Sequence, residues 1–336
     1  MNTVFVLHTQ YNLILACGLL HQSKVNDLIL FIDFKLTDEL KGKIEDNFDR
    51  VLYLYGNFPK RVLDSKSKLN KITSDCKEIK NFLNKSYDRI FVVDDMCIQE
   101  MYSLKCSAIH NKNIDMCWLE DGGNAYFYNG TVSKGMGSTP LKRAIRKCYF
   151  SLKFGLWQYY DLGRIIGTHK LLKKGYFIFP EFARREFYNR ERILITDDEF
   201  TLGMKMIFKG ESVHFEKGSI LIALDKLEVY GDKLQSVTFS LEQLINVTEG
   251  NIYYKYHPRE TDKLSVLSNA IELDKTVALE SYLTNADTKD LTIIGIKSTA
   301  LQTAKKLGYK TLSLIQQVEE ANEVVKFYKT IGIECI

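Results

Sequence analysis

Five short apolar runs fill the first third of the chain, at residues 3–7, 28–32, 51–55, 90–93 and 115–119, and polar amphipathic stretches separate them. Runs that are apolar on both faces and alternate with helical spacers predict a parallel sheet covered on both sides. Ligands of such sheets bind at the carboxyl ends of the strands. His8-Thr9-Gln10, Asp33, Asp94-Asp95 and Glu120-Asp121 stand at those ends.

The pattern fades over residues 131–190, where lysines and arginines interleave with aromatics such as Tyr149, Phe150 and Trp157. This stretch reads as helices and loops linking two domains. Apolar runs then return at 192–196, 219–224, 251–256, 276–279, 291–296 and 311–315, and an amphipathic helix closes the chain over 317–328. The expected fold is α/β with two Rossmann-like domains. The first spans 1–190 including the linker region, and the second spans 191–336.

Composition narrows the function. The net charge of +4, from 46 Lys and Arg against 42 Asp and Glu, is too small to imply nucleic-acid binding. No run of 18 apolar residues suggests a membrane span, and the start lacks the basic and small-residue pattern of a signal peptide. The seven cysteines are scattered without metal-binding spacing, so reduced, mostly buried thiols and a cytoplasmic protein are expected. The basic aromatic stretch suits an anionic acceptor or the inner face of a membrane.

Three motifs carry chemistry. Glu120-Asp121-Gly122-Gly123 places adjacent carboxylates on opposite sides of a strand end. One can face a crevice while backbone donors or a cation hold the other. Partial burial and like charge raise a carboxylate's pKa, as a general base requires. The glycines allow close approach to the backbone. The same residues also fit an acidic turn or a metal-binding pair. His257-Pro258-Arg259 follows a strand, and the proline keeps His257 extended at its end. That imidazole can protonate or hydrogen-bond a phosphate, and Arg259 adds a permanent positive charge. Ser298-Thr299 opens a helix, where capping and phosphate binding are compatible. Glu280 is placed to grip ribose hydroxyls, and His8, Thr9 and Gln10 to line the donor or acceptor side.

In this order, Glu120-Asp121-Gly122, His257-Pro258 and Ser298-Thr299 resemble the signature of bacterial sialyltransferases of the two-Rossmann GT-B type, including the lipooligosaccharide, capsular and polysialic-acid enzymes. The resemblance implies two domains facing each other across a cleft. It implies CMP-sialic acid as donor, no cofactor, no metal, and inversion at the anomeric carbon. Asp121 would deprotonate the acceptor hydroxyl, with Glu120 as a supporting carboxylate. His257 would serve the departing phosphate, and Ser298 and Thr299 would bind it. Lys255-Tyr256 stands where one family pattern has Lys-Pro, which weakens assignment to the polysialyl branch. The acceptor is expected to be a terminal galactose of a surface glycan, and a homodimer is among the expected assemblies. The competing readings are a glycosyltransferase using a UDP- or GDP-sugar and a non-enzymatic two-lobed binding protein.

Overall fold

The structure is a computed structural model that describes residues 1–32, 34–55, 65–127, 140–160, 166–257, 260–318 and 323–336. Asp33, Pro258 and Arg259 therefore lie outside the described residues. The chain divides into two compact units, 1–207 and 208–336.

The first unit holds a sheet of seven strands: β1 (Asn2–Leu7), β2 (Val25–Ile32), β3 (Arg50–Tyr55), β4 (Arg89–Val92), β5 (Asp115–Leu119), β6 (Lys174–Phe177) and β7 (Glu191–Leu194). Their order is β3-β2-β1-β4-β5-β6-β7, and every pair is parallel. Helices α1 (Gln10–Leu19), α2 (Asp38–Asn47), α3 (Ser65–Phe82), α4 (Ile98–His110), α5 (Pro140–Phe154) and α6 (Asp197–Phe208) accompany it. The central strands are apolar along their whole length because both faces are covered, and Val4, Val6, Leu28 and Ile90 are fully buried. Phe5 stacks on Phe91 at 4.8 Å between neighbouring strands.

The expected boundary at 190/191 is corrected by this sheet. Residues 131–190 are not a link between domains, because they supply β6, and β7 pairs with β6 from Lys174↔Glu191 to Phe177↔Leu194. Phe150, Phe154 and Tyr160 join a buried cluster with Ile72, Ile98 and Met101 of α3 and α4. Buried Asp95 ties the segment down further, accepting from the Gly167 and His169 N–H groups at 2.7 and 2.6 Å. α6 also belongs to this unit. A Cβ on Gly203 would lie 1.9 Å from the Ile14 carbonyl oxygen, and one on Gly18 would lie 2.3 Å from that of Glu199. Only glycine at these two positions lets α6 and α1 pack this closely.

The second unit holds β8 (Ser219–Ala223), β9 (Ile252–Lys255), β10 (Ile271–Glu272), β11 (Leu291–Gly295), β12 (Lys310–Ser313) and β13 (Glu334–Cys335). Their order is β10-β9-β8-β11-β12-β13, again parallel throughout. Its helices are α7 (Leu234–Asn246), α8 (Leu279–Asn285), α9 (Thr299–Lys306) and α10 (Glu323–Thr330). The run at 276–279 is not a strand. Ala278 caps α8, and Glu280 lies in the first turn of that helix. Each sheet reverses its strand order once, between β1 and β4 and between β8 and β11. Such reversals open a crevice at the carboxyl ends of open α/β sheets.

Candidate active site

In the first unit, β1, β4 and β5 are neighbours, so their carboxyl ends bring His8, Asp94 and Glu120-Asp121 together. The two adjacent carboxylates have different surroundings. Glu120 is fully buried. It accepts hydrogen bonds from the Tyr11 and Tyr126 hydroxyls and, at 2.9 Å, from the Ile178 N–H. Asp121 is half-buried. Burial pushes its carboxyl above the ordinary carboxylate range; Asp94 adds to this, while the Asn12 and Asn124 amides and His8 oppose it. Glu120 is thus held inside the fold by three donors, whereas Asp121 is the half-buried carboxylate with the raised pKa.

The glycines that follow have reasons of their own. Gly122 takes φ of 59°, which other residues rarely adopt, and a Cβ on Gly123 would lie 2.6 Å from the Phe127 ring. Both are buried and turn the chain beneath Asp121. Thr9 is the N-cap of α1: its hydroxyl accepts from the Asn12 N–H, and its own N–H donates to the Asn12 side chain, each at 3.1 Å. Gln10 begins the helix and is half-buried. Buried Asn12 also accepts from the His8 N–H and donates to Asp121 at 3.5 Å.

His8 stands at the strand end where the sequence placed it, but its partner Glu100 escaped the sequence reading. His8 Nε2 lies 2.5 Å from Glu100 Oε1, and the ring stacks on Phe31 at 4.5 Å. Glu100 is fully buried and also accepts from the Val93 and Asp94 N–H groups. Burial raises its pKa, and the hydrogen bond and charge of His8 oppose that shift. A histidine and a glutamate 92 residues apart form no motif; only the adjacency of β1 and β4 brings them together.

In the second unit, His257 follows β9 and Ser298 follows β11, with β8 between them. Two strand spacings separate their ends by about 10 Å. Ser298 caps α9, its hydroxyl accepting from the Ala300 N–H at 3.2 Å. Thr299 is the first residue of that helix. The helix N-terminus presents backbone N–H groups and a positive dipole end, which suit a phosphate. The His257 carbonyl accepts from the Glu260 N–H at 2.9 Å. The Glu260 carboxylate in turn accepts from the N–H groups of Asp262, Leu227 and Thr261, which hold its pKa low against burial.

Glu280 is half-buried, and burial raises its pKa while the Lys255 charge opposes this. Lys255 is itself buried and its pKa is lowered by that burial, so the end of β9 gathers Lys255, His257 and the carboxylate facing Lys255. Asp225, after β8, was also missed as a site group. Burial pushes its carboxyl up to about 6, although the N–H and charge of Lys297 oppose the shift. Among the described residues, no group of three or more His, Cys, Asp or Glu side chains is gathered as for a metal ion.

Residues 2–314 match the family described as Alpha-2,8-polysialyltransferase (POLYST). The chain belongs to this family. The Lys255-Tyr256 departure therefore does not separate it from the polysialyl branch. It is a glycosyltransferase, and the binding-protein reading falls. No curated protein matches the chain in sequence. Among solved structures, the α/β-galactoside α-2,3-sialyltransferase of Photobacterium phosphoreum is similar at 10% identity and a TM-score of 0.57, covering 99% of this chain and 98% of that one. The UDP-GlcNAc 2-epimerase of Methanocaldococcus jannaschii is similar at 14% identity and a TM-score of 0.57, covering 100% of this chain and 89% of that one. At these identities the likeness is one of fold, that of the GT-B enzymes.

Proposed function

We propose that the chain transfers sialic acid from CMP-sialic acid to the terminal sugar of a surface glycan, with inversion and without a metal. The observation that carries this reading is the unequal setting of Glu120 and Asp121 in a chain of the polysialyltransferase family. Glu120 is committed to three donors, and Asp121 has the raised pKa of a general base.

Asp121 takes the proton of the acceptor hydroxyl as the new glycosidic bond forms. The bond from the anomeric carbon to the CMP phosphate breaks through an oxocarbenium-like state. His257 donates a hydrogen bond or proton to the departing phosphate. The Ser298 and Thr299 hydroxyls, with the N–H groups of α9, stabilise the charge that develops there. Glu280 and Lys255 serve the nucleoside side. Gly122 and Gly123 shape the turn that presents Asp121, and Thr9, Gln10 and Asn12 border it.

The family description points to a sialic acid terminus as acceptor, and galactose is the alternative. Offering lactose and sialyllactose with CMP-sialic acid in EDTA, with products weighed by mass spectrometry, decides between them. The second reading is a UDP- or GDP-sugar transferase of the same architecture. CMP should raise the thermal midpoint more than UDP or GDP does. A response to UDP or GDP without one to CMP, or loss of transfer in EDTA with recovery on added metal, would sink the respective claim. A cytoplasmic place at the inner face of the membrane belongs to the same proposal; among the described residues no helix is long and apolar enough to cross a membrane.

A further inference from the structure

Helix α5 has two apolar faces. At about 100° per residue, Phe150 and Phe154 share one side of the helix, and both are buried in the cluster with Ile72 and Met101. Leu141, Ile145, Tyr149 and Leu152 fall together on the opposite side, and they are 69%, 60%, 44% and 72% exposed. The outer stripe runs for about 16 Å, and Trp157, 55% exposed, stands just beyond the helix end. A surface helix needs one apolar face to pack. Core packing accounts for the inner face alone, and a contiguous outer stripe marks a contact surface.

The charge around the stripe is of one sign. Between Asp121 and Asp161 the sequence holds six Lys or Arg residues and no Asp or Glu. Arg146, Lys147 and Lys153 are exposed on α5, with Arg146 and Lys153 along one edge of the stripe.

We propose that the outer face of α5 seats the protein on an anionic lipid surface. Helices with an apolar stripe and a Lys- and Arg-rich polar face lie in the plane of such an interface. Leu141, Ile145, Tyr149 and Leu152 enter the acyl boundary, Trp157 sits at headgroup level, and Arg146 and Lys153 meet lipid phosphates. A second copy fits the face poorly. A two-fold interface sets the same patch against itself, and two such helices would bring basic flanks together with no acidic partner. This surface gives the proposed membrane location a physical seat and stands independently of the role given to Asp121.

The test uses the full chain and vesicles of phosphatidylcholine, alone or mixed with phosphatidylglycerol. The chain should sediment with the mixed vesicles and not with the neutral ones, and added salt should release it. Tryptophan emission should shift to the blue, reporting Trp157, because the other tryptophan, Trp118, is fully buried. Leu141→Ser, Ile145→Ser and Leu152→Ser combined should weaken binding by about tenfold or more, with an unchanged thermal midpoint. Arg146→Glu with Lys153→Glu should weaken it by at least about fivefold per charge. Val229→Ser, at a residue 66% exposed in the second unit, should bind as the unaltered chain does. The proposal is overturned if the unaltered chain ignores anionic vesicles or if the triple variant binds them equally well. It is also overturned if light scattering shows a dimer that the triple variant turns into monomer, which would assign the face to a second copy.

Discussion

The two units share one strand order, reversing between β1 and β4 in the first and between β8 and β11 in the second. Different groups stand near the reversals. The first unit gathers carboxylates, Asp94, Glu100, Glu120 and Asp121, with His8 among them. The second offers donors and a helix N-terminus, with Ser298 and Thr299 after β11 and His257 two residues beyond the buried Lys255 of β9. Under the proposed function, one scaffold would serve proton removal in one unit and phosphate stabilisation in the other. The chemistry follows from the few residues after each strand, whereas the strands themselves are interchangeable apolar runs.

That division of labour can be broken most sharply at Asp121. Asp121→Asn should lower transfer by about 10²–10⁴-fold, measured by product formation, while the CMP-induced thermal shift stays. Full activity in that variant would remove the base from the first unit. Next in size is its neighbour. Glu120→Ala leaves the Tyr11 and Tyr126 hydroxyls and the Ile178 N–H without their acceptor. It should cost about 3 kcal/mol or more of stability in urea unfolding. Equal stability losses at 120 and 121 would erase the distinction between the two carboxylates.

In the second unit, Ser298→Ala removes the cap of α9. A stability loss of about 1 kcal/mol is expected, with a smaller CMP-induced thermal shift. A stability loss with an unchanged CMP response would leave Ser298 a cap alone. The finest effect is on the pH profile. If Asp121 is the base proposed, transfer requires its ionised form, so the acid limb should follow its pKa. His8 lowers that pKa and Asp94 raises it. His8→Gln should therefore move the acid limb to higher pH, and Asp94→Asn should move it to lower pH. Shifts in the same direction would show that the limb belongs to another group.

Much of this was legible in the sequence, and the gaps have physical causes. β1 to β5 announce themselves because strands buried on both faces are apolar throughout. β6, with four residues, does not; β7 was read as the run at 192–196 but given to the second domain, because it lies at the sheet edge with three of its four residues exposed. The stretch around α5 was legible as helical, but its basic side chains hid that Phe150, Ser151 and Phe154 pack it into the first unit. The doublet Glu120-Asp121 could be recognised as a site, but deciding which carboxylate is satisfied required Tyr11, 109 residues away. His8 and Glu100 are likewise joined only by the order of the strands. Glu280 was read at a strand end because an apolar run preceded it, yet a turn of α8 follows instead.

The glycine seam between α1 and α6 bears on how this protein tolerates change. α1 carries Thr9 at its cap and Asn12 beside Asp121, and α6 presses on its far side at Ile14 and Gly18. A single added methyl group at Gly18 or Gly203 would have to push α1 aside, although neither position touches a site side chain. A harmless-looking alanine along this line would displace α1, and with it Asn12, from behind.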